Sequence, residues 1–281
     1  MAHLLDLQDF GRHRTIPVAH YPAQGERLGW LLFSVGFGGE RSGYAFLGRC
    51  WSACGFDVAV VEHVGSNLEV LRRLRRPGMR QSELAVLVGQ QARNGEEMRH
   101  RVEDLQEVRR QLCAAHDWVG VAGHSLGSTT ALGVLGAELR LESGSWLPPH
   151  GPGWRAAVLL SVQPPGSMVT SQGWRSVEVP SLLITGTLDH GMPAGVEVEG
   201  RLRAYEYLRP GRRWQALLEG ADHMALAGVG LRVAPIVATL EQISCEFWMA
   251  QREGRCPHWS TSYPQNVEFT LESFSGQEPA G

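Results

Sequence analysis

The sequence predicts an α/β fold, a mostly parallel central sheet with helices on both faces, and three observations carry that expectation. Short apolar runs rich in β-branched residues recur along the chain, and longer segments with helical periodicity separate them. The 281 residues are also 43% hydrophobic, enough to bury a large core.

Taken in order, the strands are expected in "RTIPVAHY", "LGWLLFSV", "FDVAVVEHV", "WVGVAGH", "RAAVLLSV", "PSLLITGT" and "WQALLEG". Runs this short and apolar, bounded by glycine, proline or charged turns, suit strands covered on both sides. The clearest helix is "EEMRHRVEDLQEVRRQLCAAH", where Val102, Leu105, Val108 and Leu112 recur at three- and four-residue spacing and arginine and glutamate fill the other face. A second helix is expected after Ser125 through "TTALGVLGAELRL", and a third in "APIVATLEQISCEFWMAQ". The proline- and glycine-rich stretches "ESGSWLPPHGPGW" and "QPPGSMVTSQGW" read as loops at strand boundaries. They are too short for linkers and there is no internal repeat, so one domain over residues 1–281 is expected, with the tail from about residue 273 frayed.

Composition removes several function classes. A formal charge of −3 gives no reason to expect a nucleic-acid partner. All 26 basic residues are arginine, which excludes a Walker A lysine and a Schiff-base lysine. The start "MAHLLDLQDFGRHRTIPVAHYP" lacks the layout of a signal peptide, and no run approaches the roughly 20 apolar residues of a membrane span. A cytoplasmic protein is the expectation. Five scattered cysteines argue against a disulfide framework; Cys50 and Cys54 lie one helical turn apart without a second pair at zinc spacing, so packed thiols and no metal are expected.

Chemistry enters with "VAGHSLGSTT". A G-x-S-x-G match arises by chance on the order of 0.3 times in a chain of this composition, so the pentapeptide alone is weak. Its context strengthens it: a buried strand precedes Ser125 and a helix follows, as a nucleophile elbow requires. "LLITGTLDHGMP" places Asp189 just past an apolar strand, and "RWQALLEGADHMALAG" places His223 past another. An Asp can hold an imidazole in the tautomer whose other nitrogen takes the serine proton. Asp189 alone is more often a turn former, and one of 11 histidines is more often a surface residue. The order serine, acid, base, each beyond its own strand, discriminates. His258 is the reserve base, and Glu62 and Asp222 are reserve acids. The glycine-rich "FSVGFGGERSGY" is placed to supply a second oxyanion donor, so the backbone N–H groups of Phe37 and Leu126 are assigned to the oxyanion hole.

These segments together resemble the α/β-hydrolase superfamily, in particular the branch of predicted dienelactone hydrolases and bacterial relatives of platelet-activating-factor acetylhydrolase, near the cutinase-like polyesterases. "RTIPVAHYP", "FSVGFGGERSGYAFLGRCWSACGFDVAVVEHVGSN", "VGVAGHSLG", "RAAVLLS", "PSLLITGTLDHGMP", "EGADHMALAG" and "EFWMAQREG" carry the resemblance over most of the chain. It implies a Ser125–Asp189–His223 triad and no cofactor. Three departures limit it. Val35 stands where many relatives carry histidine, a serine replaces the cysteine of true dienelactone hydrolases, and "LLSVQPPGS" lacks the carboxylate that some acetylhydrolases carry there.

The implied reaction is hydrolysis of a small-molecule carboxylic ester or thioester through an acyl-enzyme. Alternatives are a biosynthetic acyltransferase, thioesterase or elimination catalyst using the same triad, and a non-catalytic binding protein on the same fold. Met168 and Trp174, in the loop after a strand, are expected to form an apolar wall for substrate. "LRRLRRPGMR" holds five arginines in ten residues; it is read as a solvated helix face, with capture of a substrate phosphate or carboxylate as the functional alternative. Nothing in the sequence specifies an oligomeric state.

Overall fold

The computed structural model describes residues 1–149, 151, 153–190, 197–231, 233–260 and 262–271; the tail expected to fray lies outside this set. Its strands are β1 (His3–Asp9), β2 (Arg14–Tyr21), β3 (Gly29–Ser34), β4 (Phe56–Val61), β5 (Val119–His124), β6 (Leu139–Leu141), β7 (Gly144–Trp146), β8 (Trp154–Leu160), β9 (Ser181–Leu188), β10 (Arg213–Asp222) and β11 (Val267–Leu271). The helices are α1 (Ala45–Ala53), α2 (Leu68–Leu74), α3 (Gln81–Ala92), α4 (Gly95–Leu112), α5 (Leu126–Val134), α6 (Ser171–Arg175), α7 (Val198–Leu202), α8 (Ala204–Tyr207) and α9 (Ala234–Glu253), with a 3-10 turn at Ala225–Ala227.

Among the described residues nine strands form one sheet in the order β1-β2-β4-β3-β5-β8-β9-β10-β11. From β4 to β10 neighbours run parallel, whereas β1, β2 and β11 are antiparallel additions at the two edges. All seven strands expected from the sequence form. Three elements add to them: the edge strands β1 and β11, and the small β6–β7 hairpin, whose first strand replaces the end of the helix expected after Ser125 and whose second lies in the stretch read as a loop.

Alternation along each strand feeds two cores. Trp30 and Leu32 of β3, Ala59 and Val61 of β4 and Val121 of β5 face one side, where they pack with Met98, Val102, Leu105 and Val108 of α4 and Ala131, Leu132 and Val134 of α5. Leu31, Phe33, Val58 and Val60 face the other side, with Leu47 and Trp51 of α1 and Ile243, Phe247 and Trp248 of α9. The expected period of α4 thus describes its buried stripe. Helix α5 stops at Val134, earlier than its apolar sequence suggests, because the following residues turn back at Gly136 (φ 86°) into β6.

The cysteine expectation fails at one pair. Cys54, at the end of α1, is disulfide-bonded to Cys245 of α9, and Cys50 lies beside them with the three sulfurs within 4.8 Å of one another. Two helices on the same face of the sheet bring together residues 191 positions apart, which spacing along the chain does not reveal. Such a bond is uncommon in a reducing compartment and counts against the cytoplasmic expectation. No helix among the described residues is long and apolar enough to cross a membrane. Closing so long a loop restricts the unfolded chain, so dithiothreitol should lower the unfolding free energy by about 2–4 kcal/mol. A fall in the urea midpoint of the wild type, absent in a Cys54→Ser/Cys245→Ser variant, is the expected reading.

Candidate active site

The carboxyl ends of β5, β9 and β10 bring Ser125, Asp189 and His223 together. Strand β5 ends at His124, and α5 starts at Leu126, which leaves Ser125 alone at the corner with φ 55° and ψ −118°. A non-glycine residue in that region costs about 1–3 kcal/mol, and here the turn is held by the Ser125 N–H donating to the Leu160 carbonyl at 2.9 Å. Ser128 steadies it further by donating to the Leu160 and Gly123 carbonyls. Gly123 and Gly127 serve close approach. A Cβ on Gly123 would lie 2.2 Å from the Gly127 carbonyl oxygen, and one on Gly127 would lie 2.0 Å from that of Ser34.

The hydrogen bonds form one line. Ser125 Oγ is 3.1 Å from His223 Nε2, and His223 Nδ1 is 2.8 Å from Asp189 Oδ1. With Nδ1–H donating to the carboxylate, Nε2 is left to accept the serine proton. Asp189 is fully buried, whereas the His223 side chain is 19% exposed. Burial pushes the Asp189 carboxyl upward, but the His223 hydrogen bond and the Arg201 guanidinium outweigh it and hold the group well below the usual carboxylate range. Thr185 Oγ1 donates to its other oxygen at 2.8 Å.

Three partners of this line escaped the sequence reading. Arg201 of α7 is buried, pairs with Asp189 Oδ1 at 3.4 Å, and donates to the carbonyls of Asp189, Ser161 and Val162. Ser161, itself at φ 53°, places Oγ 2.8 Å from His223 Nδ1. His124, the first of the pentapeptide's two variable residues, is buried with its ring centroid 4.8 Å from that of His223. A buried arginine in a helix of mixed composition carries no pattern a reader of the sequence could single out. Ser161 was legible only as the end of an apolar run.

The two expected oxyanion donors lie on the loop after β3 and at the first residue of α5. In the loop the amide of Val35 donates to Val61, that of Gly38 to Ser66 and that of Gly39 to Gly36, while Gly36 packs against the Tyr44 hydroxyl. Among the described residues, neither Phe37 N–H nor Leu126 N–H has an acceptor. Leu126 also sits at the positive end of α5.

The remaining candidates separate from the site. Met168 and Trp174, the latter in α6, are 6% and 0% exposed and pack in the core cluster shared with α4 and α5, so the expectation of an apolar substrate wall is corrected: their side chains fill the interior. His258 is exposed, with its N–H donating to Glu246. Glu62 accepts from Arg41 N–H and Asn67, and Asp222 accepts from Ala225 N–H. Arg73 and Arg80 pair with Glu69 and Glu83, and Arg72, Arg75 and Arg76 are exposed, as a solvated face requires.

Solved structures share this architecture. An esterase domain from a Rhodothermus marinus protein matches with a TM-score of 0.55 at 15% identity, covering 90% of this chain and 98% of that one. A dienelactone hydrolase from Anabaena variabilis matches with a TM-score of 0.57 at 17% identity, over 88% of this chain and 97% of that one. The chain has the α/β-hydrolase fold. A Thermus thermophilus protein gives a TM-score of 0.58 at 16% identity, over 91% and 100%. No family model matches the sequence, and no curated protein does. Within this α/β-hydrolase fold, the elbow after β5 and the turns after β9 and β10 lie on one edge of the sheet, where parallel α/β proteins build their sites.

Removing one member of the buried Asp189–Arg201 pair strands the other. Arg201→Met should cost about 3–5 kcal/mol in urea unfolding, and Asp189→Asn/Arg201→Met should cost less than the two single changes summed. Burial first, and His223 second, lower the His124 imidazole to about 3, below its unfolded value of about 6.5. The unfolded chain therefore binds the extra proton between those limits, and stability falls as pH drops through that window. Between pH 7 and 5 this histidine should contribute a loss of roughly 2 kcal/mol, absent in His124→Gln.

Proposed function

We propose that the protein is a serine hydrolase that cleaves a small-molecule carboxylic ester or thioester through an acyl-enzyme. The observation that carries this reading is the continuous line from Ser125 Oγ through His223 to the buried Asp189 carboxylate, mounted on a strained strand-to-helix turn. A turn ornament has no need of an imidazole held in one tautomer on one side and a helix start on the other.

In the reaction, Ser125 Oγ attacks the carbonyl carbon while its proton passes to His223 Nε2. Asp189 stays ionised and balances the imidazolium; Arg201 and Thr185 keep the carboxylate in place. The oxyanion is received by the N–H groups of Phe37 and Leu126. His223 then returns the proton to the departing alkoxide or thiolate. Water enters, His223 removes its proton as it attacks the acyl-enzyme, and collapse of the second tetrahedral intermediate releases the carboxylic acid and restores Ser125. The protein's own groups supply every proton movement in this cycle. His124, neutral beside His223, adds no second positive charge when the imidazolium forms.

Ser125→Ala should lower kcat/KM for p-nitrophenyl acetate by about 10³–10⁶-fold, with His223→Ala close behind. A fluorophosphonate should add one covalent increment to the intact mass of the wild type and none to Ser125→Ala. Full activity in the serine variant would end the reading, and labelling without ester hydrolysis would redirect it to acyl transfer.

A further inference from the structure

The peptide group between Val35 and Gly36 is bonded at its carbonyl by one buried side chain and packed at Gly36 against another, and we infer that Arg101 and Tyr44 are positioning residues that aim the Phe37 amide at the reacting carbonyl. The inference rests on the function proposed above. It goes beyond it by assigning roles to groups that touch neither substrate nor the Ser125–His223–Asp189 line.

The carbonyl of Val35 accepts from Arg101 Nη2 at 2.5 Å. On the other side of that peptide, Gly36 lies against the Tyr44 hydroxyl, which a Cβ added there would approach to 3.5 Å. The next peptide, which carries the Phe37 N–H, is held through its own carbonyl: Gly36 C=O accepts from Gly39 N–H at 3.1 Å. In a trans peptide the N–H points opposite to the C=O, so fixing the two carbonyls leaves Phe37 N–H one direction.

Arg101 is completely buried and spends the rest of its fork on the same purpose. Nη1 donates to Ser66 Oγ at 2.6 Å, and the Ser66 carbonyl accepts from Gly38 N–H at 2.7 Å. Nε donates to Thr130 Oγ1 at 2.9 Å, and that hydroxyl in turn donates to the Leu126 carbonyl at 3.0 Å. One guanidinium therefore bonds to the backbone before the first oxyanion donor, to the residue that holds Gly38 beyond it, and to the first turn of the helix that supplies the second donor. A lysine has no such fork. Its charge is balanced inside the fold: Glu97 and Asp104 lie near it, and Asp104 Oδ2 reaches His63 Nδ1 at 3.0 Å while His63 Nε2 meets Ser34 Oγ at 2.9 Å. Arg12 and Arg14 pair with Asp104 at the outer end.

Tyr44 is held in a conformation that the clamp explains. It sits at φ 54° before α1, an unusual region for an aromatic residue, with its ring against Phe33. Its hydroxyl, packed against Gly36, hydrogen-bonds His124 Nδ1 at 2.8 Å. His124 is the residue before Ser125, so the same hydroxyl ties the oxyanion loop to the elbow.

The test uses Tyr44→Phe, which keeps the ring and removes the hydroxyl, and Arg101→Lys, which keeps the charge and removes the fork. Active sites are counted by fluorophosphonate titration, so that a poorly folded fraction does not count as slow turnover. For p-nitrophenyl acetate we expect kcat per active site to fall by about 10–100-fold with KM changed less than threefold. The Ki of a trifluoromethyl ketone, whose hemiketal oxyanion occupies the same donors, should rise by the same factor as kcat/KM falls. The acid limb of the pH–rate profile should not move, because His223 is untouched. Hydrogen exchange across residues 34–44 supplies a readout independent of turnover, and the loop should exchange faster in Tyr44→Phe. Unchanged kcat per active site together with unchanged exchange overturns the clamp. Faster exchange in a protein whose wild type neither hydrolyses esters nor labels upholds the clamp and overturns the hydrolase reading instead.

Discussion

Helix α5 can start directly behind Ser125 only because Gly127 lies against the backbone of β3, where an added Cβ would come within 2.0 Å of the Ser34 carbonyl oxygen. Two consequences follow from that contact. It brings the first turn of α5 beside the loop that leaves β3, so that the unpartnered amides of Phe37 and Leu126 belong to one neighbourhood. It also leaves the chain no relaxed route from β5 into α5, and the single residue between them adopts a conformation that other side chains avoid. The strain at Ser125 is thus a result of packing two backbones closely, and the hydrogen bonds from Ser125 N–H and Ser128 offset part of its cost.

Around this contact the fold buries more charge than a sheet of this kind requires. Arg201 sits under the acid and Arg101 under the oxyanion loop, both shielded from water. Each is compensated by carboxylates and by several carbonyl or hydroxyl acceptors, which is the condition for such burial to be tolerated. Burial lowers Arg101 to about 10, so it still carries its charge at neutral pH. The two arginines act on different parts of the site. One keeps a carboxylate ionised beside an imidazole, and the other organises neutral backbone.

What was legible in the sequence was whatever is written locally. The seven apolar runs and the stripe on α4 depend on neighbours within a few positions, and each appears where expected; Ser125, Asp189 and His223 were singled out by their order beyond separate strands, and their side chains meet in one hydrogen-bonded line. The β1 and β11 edges did not show because half-solvated strands such as "HLLDLQD" mix polar and apolar residues and acquire their identity from the partner they pair with. Met168 and Trp174 were misplaced for a related reason. Their segment does leave β8 on the active edge, but Met168 from its loop and Trp174 from α6 both turn into the core, and a sequence does not disclose which way such side chains face. Cys54 with Cys245, Arg201 with Asp189, and Arg101 with Val35 are all long-range meetings, invisible until the sheet order is known.

The bond between Cys54 and Cys245 closes a covalent ring around most of the chain, and Ser125, Asp189, His223, Arg101 and Arg201 all lie within it. The amino-terminal strands, the loop bearing Phe37, Tyr44 and α1 are left outside on one side, and the end of α9 with β11 on the other. A peptidase that cuts a single exposed turn inside the ring would therefore release no fragment. Both halves would stay tethered at one point on α1 and α9, with α9 packed across the sheet as before, and the nicked molecule would retain every component of its site.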